Sequence, residues 1–104
     1  MPDFQDKVLR MTSKIPKGRV TTYKELAKSI GKTRAYRAVG NALRKNPHPI
    51  RIPCHRVVRS DGDVGGFGLG KEKKIELLKE EGVEIRNGKV NLDKYLIKNL
   101  NSEG

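Results

Sequence analysis

The stretch TYKELAKSIGKTRAYRAVGNALRK, residues 22–45, contains two short helical patterns on either side of a glycine. Thr22 is a favourable N-cap, and Glu25 three residues later completes a capping box, so a helix is predicted to begin here. Apolar side chains then recur at helical spacing, and Gly31 is typical of the residue that ends a helix. The first half of this stretch therefore predicts a short amphipathic helix.

The second half predicts another helix, over residues 34–45, with Thr33 as its N-cap. Polar side chains recur along it at helical spacing: Arg34, Arg37, Asn41 and Arg44. Such a stripe suits contacts with phosphates and grooves. Two helices joined by a tight turn with glycine are typical of a helix-turn-helix, although basic helix pairs also occur in proteins that never bind DNA. This pattern alone leaves both interpretations open.

Helical periodicity continues on both sides of the pair. A first helix is predicted over residues 3–14, and an amphipathic pattern predicts another over 71–81, which Gly82 ends. The tail at 93–100 is predicted as a terminal helix. Helices therefore account for most of the predicted regular structure.

The remaining turns indicate small β elements. A turn-rich and glycine-rich stretch at 60–67 predicts a wing-like hairpin or loop, and Asn87-Gly88 between 83–85 and 89–92 is a hairpin signal. The predicted fold is mainly α, a winged helix-turn-helix-like DNA-binding domain with small β-hairpins. At this length, residues 1–104 are expected to form one domain.

The charge of the chain is strongly asymmetric. Lys and Arg number 23 against 12 Asp and Glu, a net charge of +11. Residues 1–59 hold 15 basic and 3 acidic side chains, and residues 60–104 hold 8 and 9. The excess is therefore confined to the first half, as expected for a face that meets a polyanion such as nucleic acid. A merely solvated surface is the alternative.

Composition also bears on the compartment. No apolar run approaches the ~20 residues that span a bilayer, so no membrane association is expected. The one cysteine, Cys54, has no partner for an internal disulfide and is too few for a zinc site built on thiolates. We expect an intracellular protein, in the cytoplasm and nucleoid or in a eukaryotic nucleus, and a monomer in solution.

Cys54 lies in a segment that proline makes rigid. Three of the residues 47–53 are prolines, so no helix is expected there and the chain crosses the domain irregularly. An isolated free cysteine is most often a small buried hydrophobic residue. Here His55 supplies a base and Arg56 a positive charge, which are conditions that favour a reactive thiolate.

A base beside Cys54 needs partners of its own. Adjacent side chains do not face each other on a helix or strand, so His55 is predicted to reach the sulfur through a water molecule. A third group usually fixes the tautomer of such a histidine. Glu80 and Glu81 are the candidates, because both lie in the last turn of a predicted helix, where a carboxylate opposes the helix dipole. The pattern does not choose between them.

The motif PCHRV at 53–57 resembles the active-site signature of the O6-alkylguanine-DNA alkyltransferases. Blocks in register extend the resemblance over nearly the whole chain, at residues 4–5, 15–18, 23–27, 37–40, 46–47 and 74–82. The resemblance implies the catalytic DNA-binding domain alone, without the N-terminal domain that often precedes it. It also implies direct-reversal DNA repair: an alkyl group, such as methyl, moves irreversibly from O6-alkylguanine to Cys54, once per molecule.

The resemblance further implies how the domain meets double-stranded DNA. A winged helix-turn-helix would approach the minor groove and flip the damaged nucleotide out, because a stacked base cannot be reached in line. Arg37 would take the place of the extruded nucleotide. Small Ala38 and Gly40 would let the helix lie close to the groove. Tyr36 departs from the family pattern, in which a small residue usually touches the groove.

The guanine pocket is assigned by the same resemblance. Tyr23 would donate to the guanine ring as it leaves. The backbone carbonyls of Cys54 and Val57 would accept from the exocyclic amine, and the amide of Gly68 would donate to the guanine oxygen. The residues expected on the alkyl side are Pro49 and Phe67. Gly68 stands where serine is frequent, so its amide remains and any hydroxyl contact is lost.

The relay is assigned in the same way. Glu81, rather than Glu80, falls on the family's relay position, and Glu81, His55 and a water would draw the proton from Cys54. Asn46 would hold the loop beneath. The product is a stable thioether, and no metal or cofactor is expected. Two further departures keep the essential groups: Phe67 replaces a frequent tyrosine, and Thr33 a frequent proline.

Two other functions remain in view. A non-catalytic sensor, like the alkyltransferase-like proteins, would bind the same lesion and recruit other repair factors, but such proteins typically lack the cysteine. An ordinary winged-helix transcription regulator would explain the basic first half. It would not explain the PCHRV motif or Tyr23.

Overall fold

The computed structural model describes residues 3–98 and 100, and it is mainly helical. The helices are α1 (Phe4–Thr12), α2 (Tyr23–Ser29), α3 (Tyr36–Arg44), α4 (Lys71–Glu80) and α5 (Leu92–Tyr95), with a single 3-10 turn at Cys54–Arg56. The strands are β1 (Thr21–Thr22), β2 (Val57–Val58), β3 (Ile85–Arg86) and β4 (Lys89–Val90). Within the described ranges no helix is long and apolar enough to cross a bilayer.

Helix α2 begins as its sequence predicts. The Thr22 hydroxyl accepts the backbone N–H of Glu25 at 3.0 Å, which satisfies one of the free donors of the first turn. Gly31 follows the helix with φ +78°, a conformation that glycine adopts without strain. The predicted helix at residues 3–14 is also present as α1, which ends two residues earlier, at Thr12.

The start of α3 differs from the prediction. Thr33 is not the N-cap, and Arg34 precedes the helix, which begins at Tyr36. The N–H of Ala35 donates to the carbonyl of Lys32 at 2.8 Å and closes a turn there. That turn redirects the chain from α2 to α3, so the backbone at Arg34 is not available for the helix.

The strands form two separate pairs. β3 and β4 are the predicted antiparallel hairpin, with Asn87 and Gly88 both at positive φ in its turn. The other pair is parallel, with Thr21 opposite Val57 and Thr22 opposite Val58. Residues 60–67 form the loop alternative of the prediction. Their contact with another strand is an isolated bridge at residue 63, so the expectation of several hairpins is wrong for this stretch.

The predicted terminal helix over 93–100 is also wrong. Helix α5 ends at Tyr95, whose carbonyl accepts the N–H of Val20 at 3.0 Å. The N–H of Ile97 then donates to the carbonyl of Val20 at 2.8 Å. These bonds extend the chain beside β1 instead of closing another helical turn. Residue 99 of the predicted helix lies outside the described residues.

Two clusters of buried side chains form the core. Helices α1, α2 and α3 enclose the first: Val8, Ile15, Leu26, Ala27, Val39, Ala42, Leu43, Val57 and Leu100. The second joins α4 to the strands: Val20, Val58, Val64, Leu78, Val83, Val90 and Tyr95. Strand β2 contributes one valine to each cluster. The 3-10 turn that carries Cys54 directly precedes β2 and is therefore anchored between both clusters.

Candidate active site

An open cleft of about 840 Å³ lies between α3 and the glycine-rich loop after β2. Its lining residues are Tyr23, Tyr36, Arg37, Gly40, Asn41, Leu43, Arg44, Cys54, Arg59, Gly65, Gly66, Phe67 and Gly68. Most of the residues predicted for the pocket and the basic stripe therefore meet around one space. Cys54 is partly buried against the first core cluster and reaches this space.

Asn46 is hydrogen-bonded to the sulfur of Cys54. Its amide nitrogen donates to Cys54 Sγ at 3.3 Å and to the carbonyl of Ile52 at 3.0 Å. Its amide oxygen accepts the N–H of His48 at 2.8 Å. One side chain thus ties the two ends of the proline segment together.

His55 is fully buried and is not among the residues that line the cleft. Its Nε2 lies 3.0 Å from Glu81 Oε2. Glu80, the alternative carboxylate, is exposed. Within the described residues, the other ring nitrogen of His55, Nδ1, is buried without a hydrogen-bond partner. A buried polar atom of this kind is normally satisfied by a water or a ligand.

Arg56 binds the Glu81 carboxylate with two hydrogen bonds. Its Nε donates to Glu81 Oε1 at 2.8 Å, and its Nη2 donates to Oε2 at 2.7 Å. Its Nη1 donates to the carbonyl of Ile15 at 2.7 Å. Sequence reasoning expected Arg56 to raise the positive potential around Cys54. Instead, the fork-like guanidinium holds Glu81 in place against His55.

The protonation states of this group follow from its surroundings. Burial lowers the pKa of His55 below its ordinary value, although Glu81 opposes that shift. Burial acts to raise the pKa of Glu81, but the hydrogen bonds from Arg56 and His55 outweigh it and lower the pKa. A neutral imidazole therefore faces an ionised carboxylate. The Nε2–H then donates to Glu81, which leaves the lone pair on Nδ1 as an acceptor.

Lys74 is a functional candidate that sequence reasoning missed. Its side chain is fully buried, and Nζ donates to the carbonyl of Val57 at 2.7 Å and to that of Gly66 at 3.0 Å. Burial lowers its pKa from 10.5 to about 8. The available signal was spacing, because Lys74 precedes the inward Leu78 by four residues and so shares its helix face.

The residues predicted to contact guanine differ in whether they line the cleft. Tyr23, Phe67 and Gly68 line the cleft, and burial, followed by the charge of Cys54, raises the pKa of the Tyr23 hydroxyl. Val57 is fully buried, and its carbonyl already accepts a hydrogen bond from the ammonium of α4. Pro49 is half-buried and is not among the residues that line the cleft.

The predicted basic stripe is brought together in part. Arg37, Asn41 and Arg44 line the cleft along α3, and Gly40 lies among them, close to the Tyr23 ring. Ala38 is exposed beside this edge, and Arg34 is exposed in the turn before the helix. Within the described ranges, no group of three or more His, Cys, Asp or Glu side chains is arranged to hold a metal ion.

Residues 3–83 match the family model for the DNA-binding domain of 6-O-methylguanine DNA methyltransferase. The match covers more than three-quarters of the chain. The chain belongs to the 6-O-methylguanine DNA methyltransferase family. The segment that follows residue 83 lies outside the family model, although it packs into the second core cluster.

Curated relatives of this methyltransferase family are longer than this chain. A methylated-DNA–protein-cysteine methyltransferase of Methanosarcina barkeri is 52% identical over 81% of this chain and 53% of its own length. A bifunctional methyltransferase/endonuclease of Picrophilus torridus is 40% identical over 96% of this chain and 34% of its own length. The chain thus spans between about a third and about half of these relatives.

Solved structures of the methyltransferase family share the fold. An OGT of Mycobacterium tuberculosis in complex with DNA is 42% identical, with a TM-score of 0.76, over 78% of this chain and 50% of the other. Atl1 of S. pombe, in complex with damaged DNA containing O6-carboxymethylguanine, is 36% identical with a TM-score of 0.82. That match covers 94% of this chain and 99% of Atl1.

Proposed function

We propose that this chain repairs DNA by moving an alkyl group from the O6 atom of guanine to Cys54, once per molecule. The observation that carries the proposal is the placement of Cys54. Its sulfur reaches a cleft large enough for a base, while the adjacent His55 carries an unpaired, buried Nδ1 and an ionised partner, Glu81. Family membership and the DNA complexes of similar proteins support the same activity.

The relay begins at Arg56 and ends at the sulfur. Arg56 orients Glu81, and the carboxylate holds His55 in the tautomer whose Nδ1 can accept a proton. A water between this nitrogen and Cys54 would carry the proton from thiol to imidazole. The N–H that Asn46 donates to Sγ fixes the sulfur and faces the negative charge that forms there.

The transfer of the alkyl group from O6 to the sulfur needs no cofactor. The thiolate forms a bond to the alkyl carbon as the bond between that carbon and O6 breaks, and the electron pair stays on guanine. The Tyr23 hydroxyl stays protonated at neutral pH because its pKa is raised, so it can donate to the leaving ring. A thioether is a poor leaving group, and the protein is therefore spent after one transfer.

The guanine would be held mainly by the loop after β2. The amide of Gly68 and the ring of Phe67 lie at the cleft wall, suited to the guanine oxygen and the alkyl group. The carbonyls of Cys54 and Val57 are assigned to the exocyclic amine. The Val57 carbonyl keeps a second lone pair beside its bond to the buried ammonium. Pro49 stays a more distant candidate for the alkyl side.

DNA docking is assigned to α2 and α3 as a helix-turn-helix, with the loop after β2 as its wing. Arg37 at the cleft edge would fill the space of the flipped nucleotide, and Asn41 and Arg44 would meet the backbone. Ala38 and Gly40 leave room for the minor groove, whereas the half-exposed ring of Tyr36 narrows the approach. Arg34 would add a phosphate contact from the preceding turn.

A lesion sensor is the second candidate, and one observation favours it. Atl1 of S. pombe, whose structure contains damaged DNA, matches with a TM-score of 0.82, against 0.76 for the OGT complex. Cys54, positioned by Asn46 in the cleft, is the feature that favours transfer over sensing. Both activities place the protein beside DNA inside the cell.

Mass spectrometry of the intact protein tests the proposal. The protein is incubated with a duplex carrying one O6-methylguanine, and the expected result is a single added methylene mass, mapped by digestion to Cys54. An unchanged mass together with tight lesion binding would replace transfer by the sensor function. An unchanged mass without preference for the lesion would remove both.

A further inference from the structure

The C-terminal segment outside the family model is bonded to β1 and to the residues just before the glycine-rich loop, without lining the cleft. We propose that residues 85–97, here named the C-terminal brace, position β1 and the glycine-rich lip (residues 65–68) so that the cleft is preformed for the base. The expected effect on alkyl transfer rests on the proposed function, whereas the position of the brace is given by its hydrogen bonds. The brace contributes none of the residues that line the cleft.

The first arm of the brace is the β3–β4 hairpin. The N–H of Val90 donates to the carbonyl of Gly62 at 2.8 Å, and the N–H of Val64 donates to the carbonyl of Gly88 at 3.0 Å. Between them, Asp63 and Lys89 form an antiparallel bridge. Residues 62–64 are thereby attached to the hairpin by this isolated bridge, and the cleft wall begins at the next residue.

The lip needs such support because of its composition. Residues 65–68 contain three glycines, which leave the backbone many accessible conformations in the absence of contacts. The structure supplies three attachments. Lys74 donates to the carbonyl of Gly66, and the Asp63 carboxylate accepts the N–H of Gly65 at 2.9 Å. The β3–β4 hairpin holds the preceding residues, 62–64.

The second arm is the tail after α5. Leu96 bridges Val20 in parallel, and the Thr21 hydroxyl donates to the carbonyl of Ile97 at 3.0 Å. Arg19 donates through Nε to the carbonyl of Tyr95 and through Nη2 to that of Leu96, at 3.0 and 2.7 Å. The tail therefore fixes β1, which pairs with β2 directly after the Cys54 turn.

Gly62 offers a selective way to disturb the first arm. A Cβ at this position would lie 2.7 Å from the carbonyl oxygen of Val90. Gly62→Ala must therefore push the β3–β4 hairpin away from residues 62–64. The backbone is also at φ +92°, which costs strain in itself. Gly31→Ala is the matched control, because Gly31 has φ +78° and nothing within 4 Å of the added carbon.

The second arm has its own pair of variants. Thr21→Val removes the hydroxyl that binds the tail and keeps the β-branched shape. Thr12→Val removes another fully buried hydroxyl, whose bond to the carbonyl of Val8 stays inside α1. This second pair decides the question if Gly62→Ala does not fold, which circular dichroism and thermal unfolding report.

Hydrogen exchange tests the brace without reference to activity. In Gly62→Ala we expect the amides of residues 65–68 to exchange on the order of tenfold faster than in Gly31→Ala. In Thr21→Val we expect faster exchange at 57–58 than in Thr12→Val. Exchange that is the same in each folded variant and its control would overturn the brace.

Alkylation of the protein tests the consequence. With free O6-benzylguanine, both brace variants should react about tenfold more slowly than their controls, because the base is misplaced relative to the sulfur. Their reaction with iodoacetamide, which needs no base pocket, should be unchanged. Equal slowing with both reagents would show damage to the relay and overturn a positioning role. A wild-type protein that reacts only with iodoacetamide would contradict the proposed function and leave the brace to the exchange result.

Discussion

His55 Nε2 and Glu81 Oε2 lie 3.0 Å apart, although 26 residues separate them in the chain. His55 belongs to the turn that carries Cys54, and Glu81 is the C-cap residue of α4. Their contact therefore couples the position of the helix to the protonation of the imidazole. A change at the end of α4 should reach the Cys54 turn through this contact and through the two hydrogen bonds from Arg56 to Glu81.

Replacing Glu81 by Gln tests that coupling. The amide removes the negative charge that holds His55 in its productive tautomer, so the rate of alkyl transfer should fall by about 10²-fold. The rate is measured as the mass gain of the protein with free O6-benzylguanine. Glu80→Gln is the control, because that neighbouring carboxylate is exposed. Equal rates in the two variants would exclude Glu81 from the relay.

Replacing Cys54 by Ala separates transfer from binding. Cys54 is the only cysteine in the chain, so the variant should gain no mass from an O6-methylguanine duplex. It should still bind the lesion in a fluorescence anisotropy titration, because the cleft and α3 are unchanged. Any transfer that survives in this variant would remove Cys54 as the acceptor.

Replacing Arg37 by Ala should distinguish duplex from free base. Arg37 lines the cleft edge on α3, where a flipped nucleotide must leave the stack. Repair of duplex DNA should slow by at least about tenfold, whereas reaction with free O6-benzylguanine should change little. Lys79→Ala removes an exposed positive charge on α4 and controls for nonspecific attraction to DNA. If both substrates slow equally in Arg37→Ala, the residue does not act on the stack.

The buried histidine predicts a loss of stability in mild acid. Burial lowers the pKa of His55 below 6.5, so the unfolded chain binds a proton there before the folded one does. Its contribution to the free energy of unfolding should fall as the pH drops below 6.5, by no more than about 1.4 kcal/mol per pH unit. Urea unfolding of wild type and His55→Gln should show this difference. His48→Gln, at an exposed histidine, is the control.

The buried lysine predicts a pH dependence of the same sign in mild alkali, where stability rises with pH. The pKa of Lys74 is about 8 in the folded protein and 10.5 ordinarily, so between these values the unfolded chain holds more protons. The free energy of unfolding of wild type relative to Lys74→Met should therefore rise by about 2 kcal/mol from about pH 7.5 to 9.5. A flat difference would mean that Lys74 titrates normally. Lys73→Met, at an exposed lysine on the same helix, is the control.

Local signals in the sequence were sufficient for most helices. The Thr22 cap, Gly31 and the pattern that ends at Gly82 predicted α2 and α4, because capping and helical periodicity depend on residues a few positions apart. The same local logic failed at the tail. There, backbone bonds to Val20 replaced a helix, and nothing within the tail itself indicates that partner.

The site residues divide in a similar way into those that the sequence indicated and those that it did not. PCHRV and the blocks around it identified Cys54, His55 and a carboxylate at the end of a helix, because those residues define the motif or lie at helix positions that sequence reveals. The inward direction of Lys74 and the grip of Arg56 on Glu81 were not predicted. Both depend on which groups from distant segments meet in the core.

By itself, therefore, the sequence determined the helix pair, the basic first half, the candidate nucleophile and the family, since each is encoded in adjacent or regularly spaced residues. Only the tertiary structure decided the parallel β1–β2 pair, the binding of Arg56 to Glu81 and the attachment of residues 85–97 to β1 and to residues 62–64. The physical reason is that long-range backbone pairing and side-chain direction depend on the packing of segments that no local spacing connects.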